Sequence, residues 1–205
     1  MSELEMKRNA EGAANGRGGH GDEQGDTAIQ IRSMGPAELS RLGEIDRTER
    51  ITSIYVQHGV DLEEQPHNFD VPPWLPTGDG FHSIPHQIGF CEEHIARGAL
   101  LFGAFDGERL VGMGLMTPQV RPGIAQLAHL HVSDRYRGRG VGRRLVEKMA
   151  EAAREMGDLE MVVSSSPSAN TVRFYMGCGF APMAEPLAEL FEKEPEDVHL
   201  SKRLD

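Results

Sequence analysis

The sequence predicts a mixed α/β domain, largely antiparallel in its first half, and three observations carry that expectation. Two apolar runs, Ala99 to Phe105 and Leu110 to Met116, flank Asp106-Gly107-Glu108, a hairpin-turn composition. A third run, Gln126 to Val132, leads through a glycine-rich turn into helical apolar spacing from about Val141 to Met156. Met161-Val162-Val163 then reads as a further strand, so strands and helices alternate in the second half.

Residues 1–28 mix glycine and charge with almost no large apolar side chain. They cannot bury enough area to offset their ordering entropy, and a disordered tail is expected before one domain over 29–205. Ile29-Gln30-Ile31-Arg32 alternates as a short strand, and Met34-Gly35-Pro36 turns the chain into a helix carrying Leu39, Leu42 and Ile45. Ile51 to Val56 reads as helical, and Gln65 to Gly80, with its prolines and Trp74, as a long loop. Between Ser83 and Arg97 the spacing of Ile88, Cys91 and Ile95 predicts a helix buried on that face, with Pro85 in its first turn. Ala169 to Met176 is a short helix, and strands near Phe180 to Met183 and Val198 to Leu204 close the chain. No internal repeat is visible.

Composition excludes several functions. The 205 residues are 39% hydrophobic and 26% charged, ordinary globular material with room for one core. A formal net charge of -11 argues against a nucleic-acid partner, because phosphate-backbone binding needs a broad basic surface. No apolar run in residues 1–28 is long enough for a signal peptide or a membrane span, so no membrane is expected and the cytoplasm is the expected location. Cys91 and Cys178 are too few and too far apart for a disulfide framework. His82, His86, Cys91 and His94 form a loose zinc-like series, but Cys91 falls on the predicted buried face and His86 and His94 on another. No metal is expected.

Against this acidic background stands RYRGRGVGRRL, Arg135 to Leu145, with five arginines and three glycines in eleven residues. A strand ending at Val132, a turn, and a helix from about Val141 place free amide N–H groups and the positive end of a helix dipole around Gly138 to Gly142. Such a nest binds a multiply charged anion, and glycine lets it approach. The stretch has neither the glycine spacing of a Rossmann fingerprint nor the lysine of a Walker loop.

What it has is Arg137-x-x-Gly140-x-Gly142. This resembles the Q/R-x-x-G-x-G/A signature of the GNAT superfamily of N-acetyltransferases, which lies at such a strand-to-helix turn. Upstream, Leu127-x-x-Leu130-x-Val132 changes the apolar spacing from three to two, as a β-bulge would. Downstream, Phe174-Tyr175-Met176-Gly177-Cys178-Gly179-Phe180 is similar to the family's F-Y-x-x-x-G-F segment. The resemblance is good from about Ala99 to Phe180 and topological from Ile29 to Arg97. It implies a GNAT-like acyltransferase fold, an α+β mixed sheet with a splayed central strand pair that admits pantetheine. It also implies acetyl-coenzyme A as co-substrate, held by Arg137, Gly138, Arg139, Gly140, Val141, Gly142 and Arg143 and by Leu130, His131 and Val132 along the splay. Many relatives carry Asn seven residues before the tyrosine; here Ser168 stands there and Asn170 lies five before it, so either is a candidate contact.

Acetyl transfer to an amine needs a neutral amine, stabilisation of an oxyanion and a proton for the departing thiolate. An alkylammonium has a pKa of roughly 10, so a base or a water chain must act first. His129 and His131 titrate near neutrality and are candidate bases, or simply polar positions alternating out of a strand. Unpaired N–H groups near Leu130 and Val132 would face the thioester carbonyl. Tyr175, at the position where relatives use a tyrosine, is the candidate acid. Two alternatives remain open at this stage: a non-catalytic acyl-coenzyme A-binding or sensing module, and an acyltransferase with a longer donor. The acceptor is expected to be a cationic amine, on a small molecule, a lysine or an amino terminus. Between Gly43 and Arg97 ten acidic residues face three arginines, a balance of -7. Residues 46–80 are expected to build the acceptor wall, and a homodimer is left open.

Overall fold

The computed structural model describes residues 28–205, so the expected tail lies, Ala28 apart, outside the described residues. In chain order come β1 (Gln30–Met34), a 3-10 helix (Pro36–Glu44), β2 (Glu49–His58), β3 (Asp61–Val71), α1 (Ile84–Ala96), β4 (Leu100–Asp106), β5 (Arg109–Arg121) and β6 (Ile124–Val132). A 3-10 turn (Asp134–Tyr136) leads to α2 (Val141–Glu155), β7 (Glu160–Ser165), α3 (Ala169–Gly177), β8 (Ala181–Pro182), α4 (Ala188–Phe191) and β9 (Val198–Arg203). Seven strands form one sheet in the order β1-β4-β5-β6-β7-β9-β8, and β2 and β3 pair separately. Within the large sheet only β6 and β7 run parallel.

Helices cover both faces of the sheet. Val141, Leu145, Met149 and Ala153 recur at helical spacing along α2 and bury against Val111, Ala125 and Leu127. On the opposite face Leu39, Leu42 and Ile45 join Cys91 of α1 over Leu101, Met113 and Leu115. Ser83 caps α1, its hydroxyl accepting from His86 N–H at 3.3 Å, and Pro85 falls in the first turn, where no helical donor is lost. α2 lies close to the sheet because β5 presents glycine beneath it. A Cβ on Gly112 would sit 3.2 Å from both Leu145 Cδ1 and the His131 carbonyl oxygen, and one on Gly114 would sit 2.8 Å from Met149 Cε. Among the described residues no helix is long and apolar enough to cross a membrane.

Two expectations are corrected. Ile51 to Val56 is strand, not helix, and the segment read as a loop is strand as far as Val71. The β-branched and aromatic run Ile-Thr-Ser-Ile-Tyr-Val suits a pleated surface, and Gly59, at φ 62°, makes the tight turn to β3. Pro66, which argued for a loop, stands opposite Ser53 beside a register shift, where a missing ladder donor is tolerated. On α1 the buried residues are Gln87, Cys91 and His94, with Ile88 and Ile95 only partly buried. The sheet below takes the face that pairs His94 with Thr117, a constraint absent from apolar periodicity alone.

Because α2 rests on a glycine floor with backbone beneath it, Gly112→Val should lower unfolding stability by about 1–3 kcal/mol through overpacking. Urea denaturation measures this, and an unchanged midpoint would show that α2 is free to rise.

Candidate active site

β6 and β7 pair over three positions only, Ile124–Gln126 against Glu160–Val162. Leu115 then opposes His129 while Met116 opposes Leu127, so Ala128 is the extra residue of a bulge, at the place where the apolar spacing changes. Beyond it the strands part. Ser133 N–H donates to Val111 O at 2.8 Å. Amides alternate along a strand, so those of His131 and His129 face β5 as well, while those of Leu130 and Val132 face the gap. A cleft of about 920 Å³ fills this gap, bounded by Leu130, Val132, the Gly138–Arg143 turn, Ser165 to Ser168 and Tyr175.

The turn has the geometry its glycines suggest. Gly138 and Gly140 adopt φ 71° and 81°, and a Cβ on either would meet nothing within 4 Å, so the space above the loop is open. Gly140 is the N-cap of α2, and Arg144 N–H to Gly140 O, at 3.1 Å, is the first helical bond. The amides of Val141, Gly142 and Arg143 therefore precede the helical ladder. Several arginines are occupied locally. Arg137 donates to Val132 O at 3.1 Å and to Thr48 O at 2.8 Å, and Arg143 donates to Gly177 O at 2.8 Å. Arg139 lies over the Tyr136 ring. The first two thus brace the loop against β6, β2 and α3, while Arg135 and Arg144 are exposed. Gly142 admits Phe174, whose ring lies 3.0 Å from the Cβ it lacks.

His129 and His131 share the sheet face that packs on α1, because they oppose Leu115 and Met113. Their rings meet edge-on at 4.6 Å, His131 meets Trp74 at 5.0 Å, and Phe90 links His129 to His94. Burial pushes His129 down to about 4, with His94 adding to the effect, and holds His131 well below its ordinary value. His94 is likewise pushed down to about 4 by burial, and its Nδ1 lies 2.7 Å from Thr117 Oγ1. All three are neutral at pH 7. On the other face Tyr175 is buried between Phe174 and Phe180, and desolvation raises its hydroxyl above the ordinary value, so it keeps its proton.

Ser168 and Asn170 both border the cleft, already engaged. Ser168 caps α3, accepting from Thr171 N–H at 3.2 Å, and Asn170 donates to Glu49 at 3.0 Å. The zinc-like series does not converge: Cys91 is buried in the core, His86 Nδ1 meets Asp79 O, and His82 meets Arg47. Among the described residues no group of three or more His, Cys, Asp or Glu side chains is arranged to hold a metal ion. Five of the ten acidic residues counted for a cationic acceptor pair with arginine, Glu44, Glu49, Glu64, Asp70 and Glu93. Arg41, Arg137 and Arg173 come from outside the counted segment, whereas Arg50 and Arg97 were already in the count. The hairpin β2–β3 supplies Glu49, Arg50, Ile51, Ile54 and Val71 to one wall of the cleft.

Sequence reasoning missed Ser164, Glu194, Asp197 and His199. Burial raises the Glu194 and Asp197 carboxyls, and both border the cleft although they precede β9 by only a few residues. No motif marks them; β9 enters the sheet beside β7, and that pairing alone brings the segment to the gap.

A parallel strand pair parted by a bulge, with a glycine turn and helix start at its open end, is an acyltransferase architecture. The family model described as Acetyltransferase (GNAT) family matches residues 65–180, and the chain belongs to that family. It is 34% identical over 89 residues to N-acetyltransferase 8B of Rattus norvegicus, a match covering 41% of this chain and 40% of that protein. The match thus spans about two fifths of that relative's length. Among solved structures, a nourseothricin acetyltransferase aligns with a TM-score of 0.65 at 17% identity, over 87% of this chain and 100% of that one. A putative streptothricin acetyltransferase from Bacillus anthracis str. Ames, solved with acetyl coenzyme A, gives 0.64 at 16% identity, over 87% and 99%. At these identities the likeness establishes the fold.

The neutral histidines set a pH dependence. Unfolded histidine takes up a proton below about 6.5, whereas His94 and His129 in the fold do so only near 4. The unfolded state binds more protons between these values, so their contribution is intact above 6.5 and falls as pH drops towards 4, by about 1.4 kcal/mol per unit for each group. The raised carboxyls of Asp158, Glu194 and Asp197 act in the opposite sense. His129→Leu should therefore flatten the pH dependence of urea stability between 6.5 and 4 relative to wild type; parallel curves would show that the ring is not held neutral.

Proposed function

We propose that this chain is an acetyl-coenzyme A-dependent N-acetyltransferase acting on a primary amine. The observation that carries the reading is the early end of β6–β7 pairing, which leaves the Leu130 and Val132 amides facing a gap that opens onto the glycine turn. The residues suit the coenzyme: two glycines leave the space above the loop open, and three helix-start amides with the α2 dipole complement a pyrophosphate. Val141 and Gly142 would contribute backbone, and Arg139 charge at the rim. Arg137 and Arg143 would act mainly by holding the loop in shape. Ser168 and Asn170 would border the pantetheine arm.

Bound there, acetyl-coenzyme A supplies an activated acetyl thioester. The Leu130 and Val132 amides, fixed by the sheet, would stabilise negative charge on its carbonyl oxygen without reorganising. Tyr175, whose proton is held firmly by its apolar surroundings, would donate to the leaving sulfur. His129 and His131 would shape the wall as neutral rings, since burial holds both well below the ordinary histidine value and leaves them little drive to deprotonate an ammonium.

Thiol release with acetyl-, propionyl- and succinyl-coenzyme A over a panel of primary amines, peptides included, tests the activity. Amine-dependent release with the acetyl donor is expected; coenzyme binding without release with any amine would make the chain a binding module. Gly140→Glu should abolish acetyl-coenzyme A binding by calorimetry, with Gly140→Ala as the control for backbone strain. Equal affinity in a folded Gly140→Glu protein would reduce the loop to a turn. Tyr175→Phe should lower kcat with coenzyme affinity nearly unchanged, because the lost interaction belongs to the transition state; equal turnover would return Tyr175 to the core.

A further inference from the structure

Arg47 stands between the 3-10 helix and β2, borders the main cleft and is only 4% exposed. Its Nε–H donates to Pro72 O at 2.8 Å and its Nη2 to His82 Nδ1 at 2.6 Å, while the guanidinium lies 4.2 Å from the Trp74 ring centre. A guanidinium only donates, so His82 Nδ1 accepts and that ring is neutral. Nη1 has no hydrogen-bond partner among the described residues. Burial alone moves the pKa of Arg47, down to about 10, and no carboxylate opposes the shift. The side chain is therefore a buried cation at pH 7.

The acids around it are engaged elsewhere. Asp46 accepts from the Thr48 N–H at 3.0 Å and the Thr48 hydroxyl at 2.7 Å, and Asp70 pairs with Arg50 at 2.7 Å. Glu49 accepts from Asn170 at 3.0 Å, and Asp134 lies 3.5 Å from Arg137. Glu194 and Asp197 precede β9, which lies across β7 from β6. A buried cation without a counter-ion is costly, so this end of the cleft is complementary to an anion. The surroundings limit what can carry that anion. Trp74, against the guanidinium, meets His131 at 5.0 Å, and His131 stands between Leu130 and Val132, whose amides face the gap. Two ring contacts thus separate Arg47 from the strand beside which acetyl transfer would occur. Phe90 and the half-exposed Phe81 line the same space with the neutral rings of His129 and His131. Such a wall suits an apolar body.

Resting on the acetyltransferase reading, we propose that the acceptor is a free amino acid with an apolar or aromatic side chain, whose carboxylate is held by Arg47 while its amino group reaches the gap beside Leu130 and Val132. The planar fork is already fixed by Pro72, His82 and Trp74, so it pairs with a carboxylate at little ordering cost. Phe81 and Phe90 receive the side chain. Arg47 moves no proton; it selects the acceptor by supplying the charge that a plain amine leaves unanswered.

The experiment uses the full chain and acetyl-coenzyme A with leucine and phenylalanine, each beside its carboxamide and its decarboxylated amine. Thiol release should give a kcat/KM about 10–100-fold higher for the amino acid than for either neutral counterpart, the range of hydrogen bonds to a charged group. Arg47→Gln should cut this preference by about tenfold, mainly by raising KM for the amino acid, with acetyl-coenzyme A affinity within about twofold of wild type. A purely structural role would lower all three acceptors alike. Should Arg47→Gln not fold, calorimetry on the wild type with N-acetylphenylalanine and its carboxamide decides, and the carboxylate should bind about tenfold tighter or more. The proposal is overturned by equal kcat/KM across the wild-type trio, by a preference for the decarboxylated amine or for a peptide, by equal losses in Arg47→Gln, or by equal affinities of the two products. Each of these leaves the acetyltransferase reading intact. A wild type that releases no thiol with any amine overturns the parent reading and this one with it.

Discussion

A single interruption of hydrogen bonding organises this molecule. β6 and β7 hold their parallel ladder for three residues and then separate, because the extra residue at Ala128 turns the strand away from its neighbour. A continuous ladder would consume the Leu130 and Val132 amides and close the cleft. Unpaired backbone donors are costly in a dry interior, so the gap stays open only because the cleft it borders admits water or ligand. Every other site element is placed relative to this opening: the glycine turn at its far end, Tyr175 on the α3 face and the histidine rings on the α1 face.

The two faces of the sheet differ in chemistry. Towards α2 and α3 the opening meets backbone donors, arginines bracing a loop, and a tyrosine held in its neutral form. Towards α1 it meets imidazoles kept neutral by burial, and at its edge a carboxylate whose pKa burial raises. The two sides of one strand pair therefore offer different surroundings, backbone donors and cations on one and neutral rings on the other. The β2–β3 hairpin locks the arrangement from outside: Tyr55 N–H donates to Pro167 O at 2.8 Å, Gln57 accepts from His199 N–H at 2.7 Å, and Arg173 pairs with Glu64 at 2.5 Å.

Much of this was legible in the residues, for reasons local to them. The Arg137-x-x-Gly140-x-Gly142 turn needs only a strand before it, a helix after it and glycines free to take positive φ, all properties of a short segment. The spacing at Leu127, Leu130 and Val132 marked the bulge, since an extra residue shifts the apolar period where it occurs. Tyr175 could be singled out because it travels with Phe174 and the glycine turn at Gly179.

What the chain alone did not disclose depends on contacts between distant segments. Whether Ile51 to Val56 is helix or strand depends on β3 and on the Pro167 turn it pairs with, and neither is visible in the window itself. His129 and His131 looked titratable because their ordinary pKa is near neutral; only packing under Trp74, Phe90 and α1 removes the water that would stabilise their charge. The acidic excess between Gly43 and Arg97 was a correct count, but it could not show that Arg137 and Arg173 arrive from elsewhere in the chain to pair with Glu49 and Glu64. Sequence determined the strand-turn-helix loop, the bulge and the order of elements from β4 to β8, because those follow from backbone freedom and side-chain period over a few residues. Tertiary structure decided charge states and which carboxylates stand at the gap, because desolvation and Coulomb interaction depend on distance in space, and β9 brings Glu194 and Asp197 to the cleft only when the sheet is complete.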